Sequence, residues 1–296
     1  MDKVLVTGGS GFIAMHTIER LWTHKTQVFT TVRSSEKTQI MEAFAKSHHK
    51  TIQTTIADLC SDQGWDDAAK GMDYIIHIAS PFPDEPVADE QTLIQPALEG
   101  TRRVLEVAVK NQVKRIVLVS SIVAVAFGRR DKKNFTADDW SDIHGEGIDA
   151  YQKSKTLAEQ YAWEFMGRPE NKGTELVVIN PGLVLGPRLG KGVSSSNKII
   201  QKMVEGVYPG CPNIQVAVVD VRDISWALVT SMKEKNAAGK RFLMADKNYW
   251  IKDIAKLLSH HGFKHVATRS LPDWIFWFLG FFDKKMKQVC VYLGME

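Results

Sequence analysis

The chain has 296 residues, 44% of them hydrophobic and 24% charged, which suits one large α/β domain plus a smaller one and excludes a disordered chain. A formal net charge of +4, carried by scattered basic residues, argues against a nucleic-acid surface. Cys60, Cys211 and Cys290 are isolated, so neither a disulfide framework nor a metal site is expected, and a reducing compartment fits.

Met1-Asp2-Lys3 leads directly into a strand-like run, so no signal peptide is expected. Trp274 to Phe282, the longest aromatic-rich apolar run, is far shorter than the ~20 residues that span a bilayer. A cytoplasmic protein with no membrane association is the expectation.

Val4-Leu5-Val6-Thr7-Gly8-Gly9-Ser10-Gly11-Phe12-Ile13-Ala14 reads as strand, tight turn and helix. Ile13, Ala14, Ile18, Leu21 and Trp22 then recur at helical spacing. Gly8 can take positive φ, and Gly11 lets a phosphate reach the backbone where the first helical N–H groups point outward. The motif therefore predicts a dinucleotide site; an ordinary βα turn is the plainer reading.

Gln27 to Val32 is the next strand and ends in Arg33-Ser34-Ser35-Glu36-Lys37. An acid here selects NAD through the ribose 2′-hydroxyl, whereas an arginine suits the 2′-phosphate of NADP. Arg33, with Lys37, therefore predicts NADPH/NADP+, against a merely solvated strand-end arginine. Thr51 to Ala57 is a third strand, followed by Asp58-Leu59, where the acid either reaches the adenine amino group or caps a helix.

Met72 to Ala79 is a fourth strand, expected to end beside the glycine turn with Ser80-Pro81-Phe82-Pro83 after it. His77 inside it reads as a core histidine or a catalytic base. A helical period runs from Val87 to Lys110, with Pro96 expected to kink it or mark a restart. Lys114 to Ser121 is a continuously apolar fifth strand. This alternation predicts a parallel, doubly wound α/β sheet of Rossmann type with right-handed crossovers.

Asn134 to Gly147 is a polar loop, and a helix opens at Ala150 with Tyr151 and Lys155 on one face. Glu175 to Asn180 is a sixth strand ending in Pro181-Gly182. The glycine- and serine-rich Gly186 to Ser196 marks entry into a smaller region. Short strands at Ile214 to Val219 and Arg241 to Ala245 flank a helix at Ile224 to Met232, and another helix covers Trp250 to His260. The expected division is a cofactor domain of residues 1–182, with 214–246 returning to it, and a substrate region of 183–213 and 247–296.

Ser121 at a strand end, Tyr151 and Lys155 on a helix face, and a nucleotide site at the same edge suit hydride transfer to a carbonyl. Tyrosine can supply the proton, and a nearby ammonium is expected to lower its reference pKa of ~10. Serine can donate to the oxygen as charge develops. No metal is required.

With these residues in place the chain resembles the extended short-chain dehydrogenase/reductases, and among them the dihydroflavonol reductase-like group of ketone and aldehyde reductases. The matching stretches are the Thr7-Gly8 to Ala14 turn, Thr31-Val32-Arg33, Asp58-Leu59, His77-Ile78-Ala79-Ser80-Pro81-Phe82, Ser120-Ser121, Tyr151 to Glu159, Asn180-Pro181-Gly182 and Asp220-Val221-Arg222-Asp223. They lie in family order over roughly the first 225 residues. The resemblance implies a Ser121-Tyr151-Lys155 triad, with Lys155 also bonding the nicotinamide ribose and Pro181-Gly182-Leu183 beside the nicotinamide. Cofactor contacts are implied for Thr7, Gly8, Ser10, Gly11, Phe12, Ile13, Arg33, Lys37, Asp58, Leu59, Ala79 and Ser80, and substrate contacts for Phe82, Ile122 and Val123.

The implied activity is NADPH-dependent reduction of a small ketone or aldehyde by a monomer or homodimer. The other readings are a dehydrogenase or epimerase of a sugar nucleotide or sterol, and a non-catalytic NADP-binding sensor. Ala126 stands where plant dihydroflavonol reductases carry a flavonoid-contacting asparagine, and Asp149-Ala150-Tyr151-Gln152 lacks the motif of cinnamoyl-CoA reductases. Relative to the family, the substrate region is expected to be shortened at its C-terminal end.

Overall fold

The structure is a computed structural model that describes all residues except 82–88, 130–131, 191, 193, 281–289, 291–292 and 294–296. Its first half alternates β1 (Asp2–Val6), α1 (Phe12–Thr23), β2 (Thr26–Val32), α2 (Ser35–Ser47), β3 (Gln53–Ile56), α3 (Trp65–Ala69), β4 (Tyr74–His77), α4 (Gln91–Lys110) and β5 (Arg115–Val119). The second half runs α5 (Ala150–Met166), β6 (Glu175–Pro181), β7 (Leu183–Leu185), α6 (Ser195–Val204), β8 (Gln215–Asp220), α7 (Val221–Ser231), β9 (Arg241–Met244), β10 (Lys247–Trp250), α8 (Ile251–His260) and α9 (Asp273–Gly280).

A seven-stranded sheet in the order β3-β2-β1-β4-β5-β6-β9 pairs in parallel throughout. Both faces are covered, and the two-residue period of the strands divides the core. Val4, Val6, Val28, Ile76, Val117 and Val119 pack against α1, α2 and α7, while Leu5, Ile75, Ile116 and Leu118 pack against α3, α4 and α5. The chain winds outward in both directions from β1 and β4, so the crevice at their carboxyl ends is the switch point where such sheets bind ligands.

β10, β8 and β7 form a second, mixed sheet. Its apolar side meets Met203, Ile254, Ala255 and Val266 in a separate small core. Of residues 214–246, α7 and β9 lie on the large sheet, while β8 pairs with β7 and β10. The step between sheets falls at Gly182, where a Cβ would come within 2.3 Å of the Ala217 carbonyl oxygen. In α9, Trp274, Trp277 and Phe278 are exposed and Phe276 is buried; Phe282 at the end of that apolar run lies outside the described residues.

Several local expectations change. The helix α2 after Arg33 was not apparent, because Lys37, Glu42 and Lys46 interrupt its apolar Ile40, Met41 and Phe44. Helix α4 runs unbroken through Pro96, since Leu93, Ile94 and Ala97 are buried on either side and hold it past one missing N–H. Asp58 caps no helix: its Oδ1 accepts from the Cys60 N–H at 2.8 Å, while α3 begins after Gly64 in left-handed conformation. No described helix is long and apolar enough to cross a membrane.

Beyond Val6 and His77 the two central strands are tied by one hydroxyl. Thr7 Oγ1 accepts from the N–H groups of Ile78 and Ala79, both at 3.0 Å, and lies 2.8 Å from His77 Nδ1. With both lone pairs occupied, the hydroxyl donates to Nδ1, so the ring is neutral and carries its proton on Nε2. Burial first, and the Lys155 charge second, push this histidine down to about 3, so the ring is a weak base whose one lone pair is already taken by Thr7, which speaks for the core reading. The unfolded ring titrates near ~6.5, so stability tied to the neutral ring is complete above that pH and is lost as pH falls toward 3. Nitrogen-15 NMR of labelled histidine is expected to show His77 as the Nε2–H tautomer with no titration between about pH 5 and 9. A midpoint near ~6.5 would contradict the assignment.

Candidate active site

The glycine turn lies at the switch point. Gly8 has φ +70°, and Gly9 sits so tightly on β2 that a Cβ there would meet Thr30 Oγ1 at 2.1 Å. Gly11 is the N-cap of α1 and brings no side-chain cap, so the first N–H groups of the helix, Phe12 and Ile13 among them, are left to an external acceptor. Ser10 stands half-buried between these glycines.

Arg33 is exposed at the carboxyl end of β2, and Ser34 caps α2 by accepting from the Lys37 N–H at 3.4 Å. The turn thus gathers Arg33 and Lys37 around a helix N-terminus. Asp58 and Leu59 follow β3, the neighbouring strand, and the Leu59 carbonyl accepts from Arg103 Nη1 at 2.8 Å. Ala79 packs on the glycine turn, 3.2 Å from where a Cβ of Gly8 would stand.

Across the crevice, β5 ends at Val119 and the next two serines part company. Ser121 caps the short 3-10 turn Ile122–Ala124, its Oγ accepting from the Val123 N–H at 3.3 Å and donating to the Pro181 carbonyl at 3.5 Å. Its hydroxyl also neighbours the Tyr151 phenol, where it favours the ionised form. Ser120 points elsewhere: its buried Oγ has no partner among the described residues, and it lines a small cavity with His77 and Lys155. Ile122 and Val123 are half-buried beside Ser121, whereas Phe82 lies outside the described residues.

Tyr151 and Lys155 are reached through α5, which Asp149 and Gln152 start with a reciprocal capping box. Lys155 Nζ donates to Ser80 Oγ at 3.3 Å and to the Val119 carbonyl at 3.2 Å. Burial pushes Lys155 down to about 8, opposed by the nearby Glu159 carboxylate. Tyr151 is half-buried as a residue, but atoms crowd its oxygen and desolvation pushes it up to about 12. The expected lowering by Lys155 is not found: burial and the Asp149 charge raise the phenol, the Ser121 hydroxyl alone opposes them, and at neutral pH the phenol keeps its proton.

Pro181, Gly182 and Leu183 close the crevice where β6 becomes β7, with the Gly182 N–H donated to the Met244 carbonyl at 3.0 Å. Sequence reasoning gave no role to Glu159, Asn180 and Arg241, which form a buried network behind Ser121. The four-residue spacing of Tyr151, Lys155 and Glu159 was the available signal for the first of them. Among the described residues no group of His, Cys, Asp and Glu could hold a metal ion.

Residues 5–272 match the 3-beta hydroxysteroid dehydrogenase/isomerase family. The chain is 34% identical to tetraketide alpha-pyrone reductase 2 of Arabidopsis thaliana over 263 residues, covering 84% of this chain and 80% of that one. It is 27% identical to the NADPH-dependent methylglyoxal reductase GRE2 of Saccharomyces cerevisiae over 282 residues, covering 87% and 82%. Among solved structures, Gre2 of Candida albicans in complex with NADPH superposes with a TM-score of 0.79 at 25% identity, covering 92% of this chain and 86% of that one. The chain belongs to the 3-beta hydroxysteroid dehydrogenase/isomerase family, as an oxidoreductase of the extended short-chain dehydrogenase/reductase type in its dihydroflavonol reductase-like group.

Proposed function

We propose that this protein reduces a small ketone or aldehyde to an alcohol, with NADPH as cofactor and Tyr151 as proton donor. The observation that carries this reading is the placement of Tyr151 and Lys155 on α5 against Ser121 and the end of β5, at the carboxyl edge of the sheet, where burial holds the tyrosine in its protonated form. The cofactor is NADPH, and the residues present fit it. The turn at Gly8 to Gly11 leaves no room for a side chain at Gly9, α1 opens without a cap, and Arg33 stands exposed beside Lys37. Thr7, Gly8, Ser10, Gly11, Phe12 and Ile13 would line the pyrophosphate, Arg33 and Lys37 the 2′-phosphate, and Asp58 and Leu59 the adenine. Ala79, Ser80, Lys155 and Pro181 to Leu183 would surround the nicotinamide half, with Ile122 and Val123 against the substrate.

NADPH held by these residues would supply the hydride for the carbonyl carbon. Ser121 and Tyr151 hold the carbonyl oxygen between two hydroxyls, which stabilises the charge that develops there. Tyr151 gives that oxygen its phenolic proton, and Lys155, still largely protonated below about 8, offsets the phenolate left behind. We infer also that residues 1–182, with the returning part of 214–246, carry the cofactor, and that 183–213 and 247–296 cover the substrate.

Tyr151→Phe keeps the ring and removes the proton donor. It is expected to lower kcat by ~10²–10⁴ while the NADPH dissociation constant changes by no more than a few-fold. Activity within a few-fold of the parent would refute the role. Arg33→Asp places a carboxylate where the 2′-phosphate would sit, and the ratio of kcat/KM for NADPH over NADH is expected to fall by at least about ten-fold; an unchanged ratio would remove Arg33 from the cofactor site.

A further inference from the structure

Behind the site lies a buried ion pair that the reaction chemistry does not itself use. Glu159 is 0% exposed and Arg241 8% exposed, with Arg241 Nε donating to Glu159 Oε1 at 2.6 Å. The other carboxylate oxygen accepts from Asn180 Nδ2 at 2.7 Å, and Trp163 Nε1 approaches Oε1 at 3.3 Å. Burying a carboxylate and a guanidinium is costly unless both are bonded, so such a pair calls for an explanation of what it holds.

Asn180 holds the start of residues 121–127, and Arg241 holds the loop that braces them. Asn180 Nδ2 also donates to the Ser121 carbonyl at 3.1 Å, which fixes the backbone at the start of residues 121–127. Arg241 Nη1 donates to the carbonyls of Ala137 and Asp139 at 2.8 and 2.7 Å, and its guanidinium stacks 3.8 Å from the Trp140 ring centroid. The loop so pinned places Ser141, whose Oγ donates to the Val123 carbonyl at 2.7 Å and accepts from the Phe127 N–H at 2.8 Å. The Ser141 N–H donates to Ala124 and the Asp142 N–H to Phe127, completing the brace.

We propose that Glu159 is a positioning residue for the active site: through Asn180 and Arg241, one buried carboxylate clamps the segment 121–127 at its start and through the loop that braces it. This rests on the reductase reading, in that Ser121, Ile122 and Val123 within the clamp face the reacting carbonyl. Glu159 has a second effect, since its charge favours the protonated form of Lys155 one helical turn before it. The other groups around Lys155 do not replace that charge. β4 presents neutral His77, β5 and the residue after it Leu118, Val119 and Ser120, α4 Ala97 and Thr101, and α5 the protonated Tyr151, while Arg241 on β9 is paired with Glu159 itself.

Glu159→Gln and Asn180→Ala separate the two effects. In the full chain with saturating NADPH, both are expected to lower kcat for carbonyl reduction by ~10–100-fold with KM for NADPH within a few-fold, the size of effect that misplacing a reacting group produces. Reduction needs protonated Lys155, so activity is lost as pH rises through its pKa. In Glu159→Gln that pKa falls and the alkaline limb of kcat moves toward acid, while in Asn180→Ala the limb stays. Amide hydrogen exchange needs no turnover: both variants are expected to exchange faster over residues 121–127, and Glu159→Gln also over 136–142.

If Glu159→Gln does not fold, Asn180→Ala, which leaves the ion pair intact, decides the matter by its kcat and its exchange over 121–127. Folded variants with unchanged kcat and unchanged exchange over 121–127 overturn the clamp. A wild-type chain that binds NADPH but reduces no carbonyl overturns the functional reading instead, and the exchange measurement then decides the clamp alone.

Discussion

The site depends on how closely the turn after β1 lies against its neighbours. Gly8 faces Ala79 with no more than 3.2 Å to spare for a Cβ, and Gly9 faces the hydroxyl of Thr30, itself donated to the Val6 carbonyl at 2.6 Å. Side chains at these two positions would push the turn off β2 and β4, at a cost of ~1–3 kcal/mol or more each. The contact keeps the start of α1 over the crevice, and its uncapped N–H groups then make that crevice attractive to a pyrophosphate. Thr7, just after β1, adds bonds to the loop after β4 and so joins the two halves of the switch point.

Burial then sets the chemistry on the opposite side. Desolvation raises Tyr151 and lowers Lys155, so each is pushed toward its neutral form. The outcome favours reduction: a phenol at about 12 holds its proton for delivery, and a lysine at about 8 remains largely charged at neutral pH. Glu159 moderates the second shift, and its pairing with Arg241 keeps that carboxylate from being an uncompensated buried charge. A single side chain thereby connects the electrostatics of the helix to the backbone geometry of Ser121.

What could be read from the sequence was what local pattern determines. The strand-glycine-helix run needed no partner to be recognised, and helical spacing put Tyr151 and Lys155 on one face, a pair that gains its weight from the nucleotide turn and Ser121. Other features depend on contacts distant along the chain. The partners of β8 lie in β7 and β10 rather than in the large sheet, and nothing in its alternating residues states which sheet it joins. Glu159 meets Arg241 across 82 residues, so the role of either is invisible without the fold. The direction of the Tyr151 shift escaped for the same reason: adjacency to a lysine is local, whereas desolvation is a property of everything packed around the oxygen.

Hydride delivery to a carbonyl at the Ser121–Tyr151 pair is tested most directly with NADPH deuterated at the transferring position of the nicotinamide. Incubation with a panel of small aldehydes and ketones should yield an alcohol bearing deuterium on its carbinol carbon, with one NADP+ formed for each alcohol. NADPH that binds tightly yet passes deuterium to no member of the panel would contradict it.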